Sequence, residues 1–166
     1  MCKSAAFGLA FESAECDKTR CPATVKRRDT VSHQETLSVA SRGKGFTNIT
    51  ADVQAVVRRS EVGTGLCTVF VQHTSASLVI QENADPAVLR DLESWFADLA
   101  PESRSWEHDD EGRDDMPAHA RSVLTKTSEA IPVSGGRLVL GTWQGLYLWE
   151  HRRAGGERSV VVHIGP

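Results

Sequence analysis

No single sign of charge dominates this chain: 19 Lys and Arg stand against 22 Asp and Glu, a formal net of -3 at pH 7. That balance withholds the basic footprint that a nucleic-acid partner needs. Long hydrophobic runs are missing too. The apolar stretches last only a few residues, against the ~20 that a membrane span requires, so no membrane partner is expected. Cysteine is scarce and badly spaced for chemistry. Three of the four lie at Cys2, Cys16 and Cys21, the fourth is Cys67, and no C-x-x-C pair occurs. A chain of 166 residues that is 40% hydrophobic can build a core without a disulfide framework. The expectation is a reduced, cytoplasmic protein with Cys67 buried. The opening "MCKSAAFGLAFESAEC" is a poor export signal, because its apolar stretch is short and Glu12 and Glu15 interrupt its end. Nucleophile elbow, Walker A loop, G-x-G-x-x-G, H-E-x-x-H and EF-hand patterns are all absent.

Residues 1–30 carry no period of 2 or 3.6 and read as a flexible extension, leaving 31–166 as one domain. "ETLSVAS" alternates as a strand, with Leu37 and Val39 on one face, and Gly43 and Gly45 mark a turn. Thr50 is placed to cap a short helix striped by Val53, Val56 and Val57. Leu66 to Gln72 and Ser77 to Glu82 read as two buried strands broken by the polar "HTSA". Asp85 and Pro86 form an N-cap and first-turn pair. Val88, Leu92, Trp95, Phe96 and Leu99 then form one apolar helical face, and Pro101 stops the helix. A further helix is expected over "MPAHARSVLTKT", with His119 in its first turn. After Ile131 the strands "RLVLGT", "GLYLWEHRR" and "RSVVVHIG" follow. Strand-rich order with two or three inserted helices indicates an α+β fold built on a largely antiparallel sheet.

Polar groups gather at the ends of these elements, where a rigid scaffold presents functional side chains. His73, Thr74, Ser75 and Ser77 stand at the strand break, and Asn83 and Asp85 at a helix start. "HDDEGRDDMPAH" crowds His108, Glu111, Asp114, Asp115 and His119 around the next helix. Each has a plainer role available: turn residues at Ser75, capping at Asp85, core packing at Trp143. Asp115, as a charge on a helix dipole only, would be worth about 0.3–1 kcal/mol. Jointly, histidines and carboxylates can bind a metal or exchange protons, and the residues themselves fix no more than that.

"QHTSASLVIQENADPAVLRDLE", "HDDEGRDDMPAH" and "GRLVLGTWQGLYLWEHR" closely resemble the YjbQ-like family, also called the secondary thiamine-phosphate synthase enzymes. The resemblance runs from about His33 to the C-terminus. Gly112-Arg113 departs from an expected Gly-Pro. The resemblance implies a compact α+β domain that assembles as a homotrimer. It also implies an enzyme that couples an aminopyrimidine methyl diphosphate to a thiazole phosphate, releasing diphosphate. A metal-dependent hydrolase and a non-catalytic binder of a small anionic metabolite stay open beside it. On this reading His73, Glu111, Asp115 and His119 are catalytic. Ser75, Ser77, Asn83, Asp85, His108, Trp143 and Gln144 contact a phosphorylated substrate. A divalent metal, Mg²⁺ or Zn²⁺, draws its ligands from His73, His108, His119, Asp114 and Asp115. The "QHTSAS" and "HDDEGRDDMPAH" segments are expected to face one pocket.

Overall fold

A computed structural model describes residues 32–166. The extension and Cys2, Cys16 and Cys21 lie outside the described residues. Eight strands and three helices follow in the order β1 (His33–Ser41), β2 (Gly45–Asn48), α1 (Thr50–Arg59), β3 (Thr64–Val71), β4 (Ala76–Glu82) and α2 (Pro86–Leu99). Then come α3 (Asp115–Leu124), β5 (Ser128–Ser134), β6 (Arg137–Leu138), β7 (Gln144–Glu150) and β8 (Gly156–Gly165). The strands make two antiparallel sheets, one ordered β1-β8-β3-β5-β6 and one ordered β2-β7-β4.

One core joins them. Val39, Cys67, Val69, Val71, Ile131, Val133, Val160, Val162 and Ile164 come from the larger sheet, Ala76, Leu78, Leu146 and Leu148 from the smaller, and Val53, Val56 and Val57 from α1. Period-2 alternation in β1, β5 and β8 puts every second side chain into this core. β7 is buried almost throughout because it has cover on both faces. Leu146 and Leu148 face the core, while Trp149 stacks on Phe46 and meets Phe96 of α2 edge-on, at 4.4 and 4.6 Å between centroids.

Several expectations need correction. Thr50 does not cap α1; it is the first residue of the helix, and its hydroxyl exchanges hydrogen bonds with the backbone of Leu146. Of the α2 stripe only Phe96 is buried, and Trp95 and Leu99 are 59% and 51% exposed. β3 is amphipathic rather than buried on both faces, leaving Leu66 and Phe70 exposed. "RLVLGT" is a strand only at its first two residues. β5 begins at Ser128, ahead of the strands expected after Ile131. Asp85 does cap α2, accepting from the Ala87 amide at 2.8 Å.

The topology concentrates crossings at one end. Between β1 and β2, β3 and β4, and β7 and β8, the chain passes from one sheet to the other beside the pairs Ser41 with Gly156, Val71 with Val160 and Ala76 with Glu150. Space there is tight. A Cβ on Gly43 would sit 2.3 Å from the Arg153 carbonyl oxygen, and one on Gly155 would sit 2.1 Å from that of Ser41. Glycine at both positions lets the two crossings touch.

Candidate metal and substrate site

α3 starts at this crowded end. Asp115 is its first residue and is 1% exposed. Pro117, third in the helix, lacks an N–H that the first turn could not have used. His119 falls in the second turn, not the first, and sits one turn above Asp115. The α2–α3 loop brings His108 back over both.

Three ligand atoms converge. Asp115 Oδ2 lies 2.7 Å from Nε2 of His108 and 3.5 Å from Nε2 of His119. Among the described residues these three form a group whose potential ligand atoms all fall within 4.8 Å of one another. Oδ2 is buried, yet no N–H is aligned on it as a hydrogen bond. The tautomer of His119 sharpens the point. Its Nδ1 is 3.1 Å from the Thr74 carbonyl oxygen, which only accepts, so Nδ1 carries the proton in neutral imidazole. Nε2 then presents a lone pair toward a carboxylate lone pair. Such an arrangement repels unless a cation or a proton on Nε2 lies between, and a histidine anchored through Nδ1–H to a carbonyl is the usual metal-ligating form.

The carboxylate is held from behind. Asp115 Oδ1 pairs with the guanidinium of Arg152, whose Nε donates to Asp114 Oδ2 at 3.1 Å and whose Nη2 donates to the Glu111 carbonyl at 2.8 Å. Asp114 Oδ2 also accepts from the Arg153 amide at 2.8 Å. Burial alone would raise the Asp114 pKa; the Arg153 amide and the Arg152 guanidinium outweigh it and hold the carboxyl below its usual value. Asp114 is thus committed to the arginines and is not placed as a ligand. Glu111 is exposed, with its carboxylate 3.6 Å from Arg152. An oxygen-rich Mg²⁺ site is therefore not assembled, whereas two imidazoles and one carboxylate suit Zn²⁺.

His73 lines an open cleft of about 580 Å³ together with His119, Thr74, Ser122 and Thr125. Its Nδ1 accepts from the Ser75 amide at 3.0 Å, so the neutral ring carries its proton on Nε2. That makes His73 a donor to a bound molecule, and His73 is outside the three-ligand group. Desolvation, with Arg158 next, pushes its pKa below the ordinary histidine value, and Glu150 opposes. Ser75 is buried, its hydroxyl 3.4 Å from His119 Nδ1.

Other expected contacts stand elsewhere. Ser77 is fully buried and 2.9 Å from His151 Nε2, so it cannot touch a ligand in the cleft. Asn83 and Asp85 follow the far end of β4, where Asn83 bonds the Trp143 and Gln144 backbone. At about 3.3 Å per residue the length of β4 puts them roughly 25 Å from Ser75. Gln144 closes its own turn, accepting from the Gly141 amide, and Trp143 is 66% exposed rather than core. Within one chain these four do not join the cluster.

Sequence reading passed over Arg152, which orders three acidic positions, and over His151. The latter is fully buried, its Nδ1 has no partner, and desolvation pushes its pKa down to about 3. Both belong to "WEHRR", a polar run ending a buried strand, which is the same signal that drew attention to "QHTS".

Comparisons with known proteins match this architecture. The family described as "UPF0047 protein YjbQ-like" matches residues 35–166. UPF0047 protein sll1880 of Synechocystis is 62% identical over 133 residues, covering 80% of this chain and 90% of that protein. UPF0047 protein YjbQ of Escherichia coli O157:H7 is 42% identical, covering 80% and 96%. A crystal structure of a YbjQ-like protein of unknown function from Sulfolobus solfataricus superposes with a TM-score of 0.75 at 28% identity, covering 81% of this chain and 97% of that one. A Clostridium acetobutylicum structure from the yjbq/upf0047 family gives 0.70 at 35%, covering 79% and 98%. With a match across most of its length and relatives this similar, the chain belongs to the UPF0047, YjbQ-like family.

Proposed function

We propose that this chain is a metal-dependent enzyme acting on a small phosphorylated molecule, with hydrolysis as the reaction its site suits best. The observation that carries the reading is the buried Asp115 Oδ2, with no hydrogen bond aligned on it, at 2.7 and 3.5 Å from two histidine Nε2 atoms. A Zn²⁺ bound there would act as a Lewis acid toward a phosphoryl oxygen and toward water. The chain does the remainder. His108, Asp115 and His119 would hold the ion, three protein ligands being the number that catalytic rather than structural sites use. Thr74 and Arg152 fix the orientation of His119 and Asp115. His73 directs its Nε2–H into the cleft shared with His119, where it can hold an oxygen or pass a proton.

The family's suggested coupling of an aminopyrimidine methyl diphosphate with a thiazole phosphate needs the same metal and the same oxygen donors. It also needs a platform for the pyrimidine. The exposed Trp143 could serve only if a second copy brought it to this cleft.

The test is turnover by the purified full chain, with Zn²⁺ restored to metal-stripped protein. A panel of phosphate monoesters and diphosphates, and the pyrimidine and thiazole pair, are the substrates. Metal-dependent release of phosphate that is lost in Asp115→Ala supports hydrolysis. Metal-dependent coupling without release from single substrates favours the synthase reading. Turnover indifferent to metal removal overturns both.

A further inference from the structure

The α2–α3 loop lines a second cavity of about 240 Å³, whose wall includes His108 but not Asp115, the residue that His108 meets at 2.7 Å. We infer that this cavity is a binding subsite for a phosphoryl group, one imidazole away from the candidate metal. It rests on the proposed function only in naming what the reacting end of the ligand meets.

Three observations converge. The lining includes Arg104 and Arg113, and among the described residues neither has a carboxylate within ion-pair distance. Arg104 is held in place by its neighbour, with its guanidinium carbon 4.5 Å from the centre of the Trp106 ring. Stacked in that way, a guanidinium keeps its planar fork of N–H groups free for an oxyanion. The indole N–H of Trp106, in the same wall, is buried with no acceptor. Indole nitrogen only donates, and a buried donor is rarely left unpaired, so an oxygen acceptor is what the wall lacks.

The acidic residues of the wall do not cancel this. Glu102 is neutralised twice, by Lys44 and by Arg153. Asp109 is the only other carboxylate in the lining, and it is solvent-exposed. The balance stays positive. A phosphoryl group has several acceptor oxygens and up to two charges, which two guanidinium groups, an indole N–H and the hydroxyls of Ser103 and Ser105 can meet together. A single carboxylate would leave part of that set unused.

The experiment is calorimetric titration of the metal-stripped full chain with inorganic phosphate and then with diphosphate, each repeated on Arg104→Gln/Arg113→Gln and on Trp106→Phe. Stripping the metal removes the competing route for phosphate binding. Saturable binding is expected, weakened about tenfold or more in the double variant, since each charge-assisted hydrogen bond lost accounts for about that factor. Arg104→Lys, which keeps charge but not the fork, should fall between. Both arginines are exposed, so the variants should keep the wild-type melting temperature and metal stoichiometry. Absence of saturable binding, or equal affinity in the double variant, overturns the inference. Zn²⁺ uptake, measured on separate aliquots of the same stripped protein after zinc is added back, separates the two readings. Phosphate binding without any metal uptake would sink the metal centre and leave the subsite standing, and metal uptake without phosphate binding would do the reverse.

Discussion

At the scale of single residues, Asp115 bears most of the account. As a charge on a helix dipole its loss would cost at most about 1 kcal/mol, but at 1% exposure and paired with Arg152 it is more deeply committed. Asp115→Asn should abolish stoichiometric Zn²⁺ binding and also destabilise the chain by about 1–3 kcal/mol, the cost of disturbing a buried charge-assisted bond; metal analysis and denaturant unfolding read the two effects separately. His119→Ala should lose metal as fully with a smaller stability change, because its side chain is 31% exposed. His73→Ala should keep the metal and lose turnover, and adding it to His119→Ala should cost nothing further, since groups acting as a unit are not additive. A His73→Ala variant without metal would place His73 among the ligands after all. The residue types at this site were legible from sequence only jointly, because each histidine and carboxylate has a plainer role alone while their crowding at element ends does not. Which lone pair points where was not legible, since that depends on the Thr74 carbonyl and on Arg152, which lie far from the motif in sequence.

At the scale of elements, β7 links stability to pH. It ends at Glu150 and delivers the next residue, His151, to full burial, with its pKa down to about 3 and the ordinary value near 6.5. The unfolded chain therefore binds a proton in a window where the folded chain refuses it. Stability conferred by this group is fully present above about 6.5 and is lost as pH falls toward 3. Desolvation shifts His73 the same way. Acidification between those limits should destabilise the protein, and Ser77→Ala/His151→Phe, which removes both hydrogen-bonding partners, should flatten that limb. An unchanged acid profile in the double variant would show that carboxylates alone set it. Element identity read well from sequence where a local pattern was strong, as in the capped start of α2 and the alternation of β1. It read poorly where tertiary cover decided. The α2 stripe looked like core, yet only Phe96 of it is buried, packed edge-on against Trp149. β5 was not among the expected strands, because Pro132 and the polar alternation of "SEAIPVS" mask a strand that pairs with β3 and buries Ile131 and Val133.

For the whole molecule, sequence indicated an α+β, antiparallel fold but not its division into two sheets, since registers such as Ala76 with Glu150 follow from long-range packing. No described helix is long and apolar enough to cross a membrane. Several large apolar side chains remain exposed, including Val123 at 84%, Trp143 at 66% and Leu124 at 58%. Surfaces of this kind mark association, and we propose the homotrimer that the family resemblance implies, with closed cyclic symmetry. Light scattering at micromolar concentration should return about three times the 18.1 kDa chain mass; a monomer contradicts it. A chain starting at Val31 should keep that assembly and its melting temperature, and unfolding on truncation would assign the extension to the core. The central claim is the metal centre, and X-ray absorption at the zinc edge of the loaded, purified chain tests it most directly. The account predicts two imidazole nitrogens at about 2.0–2.1 Å and a carboxylate oxygen at about 2.0–2.2 Å, with the imidazole signal gone in His108→Ala/His119→Ala. Zinc that is not retained, or that shows the same shell in that variant, would contradict it.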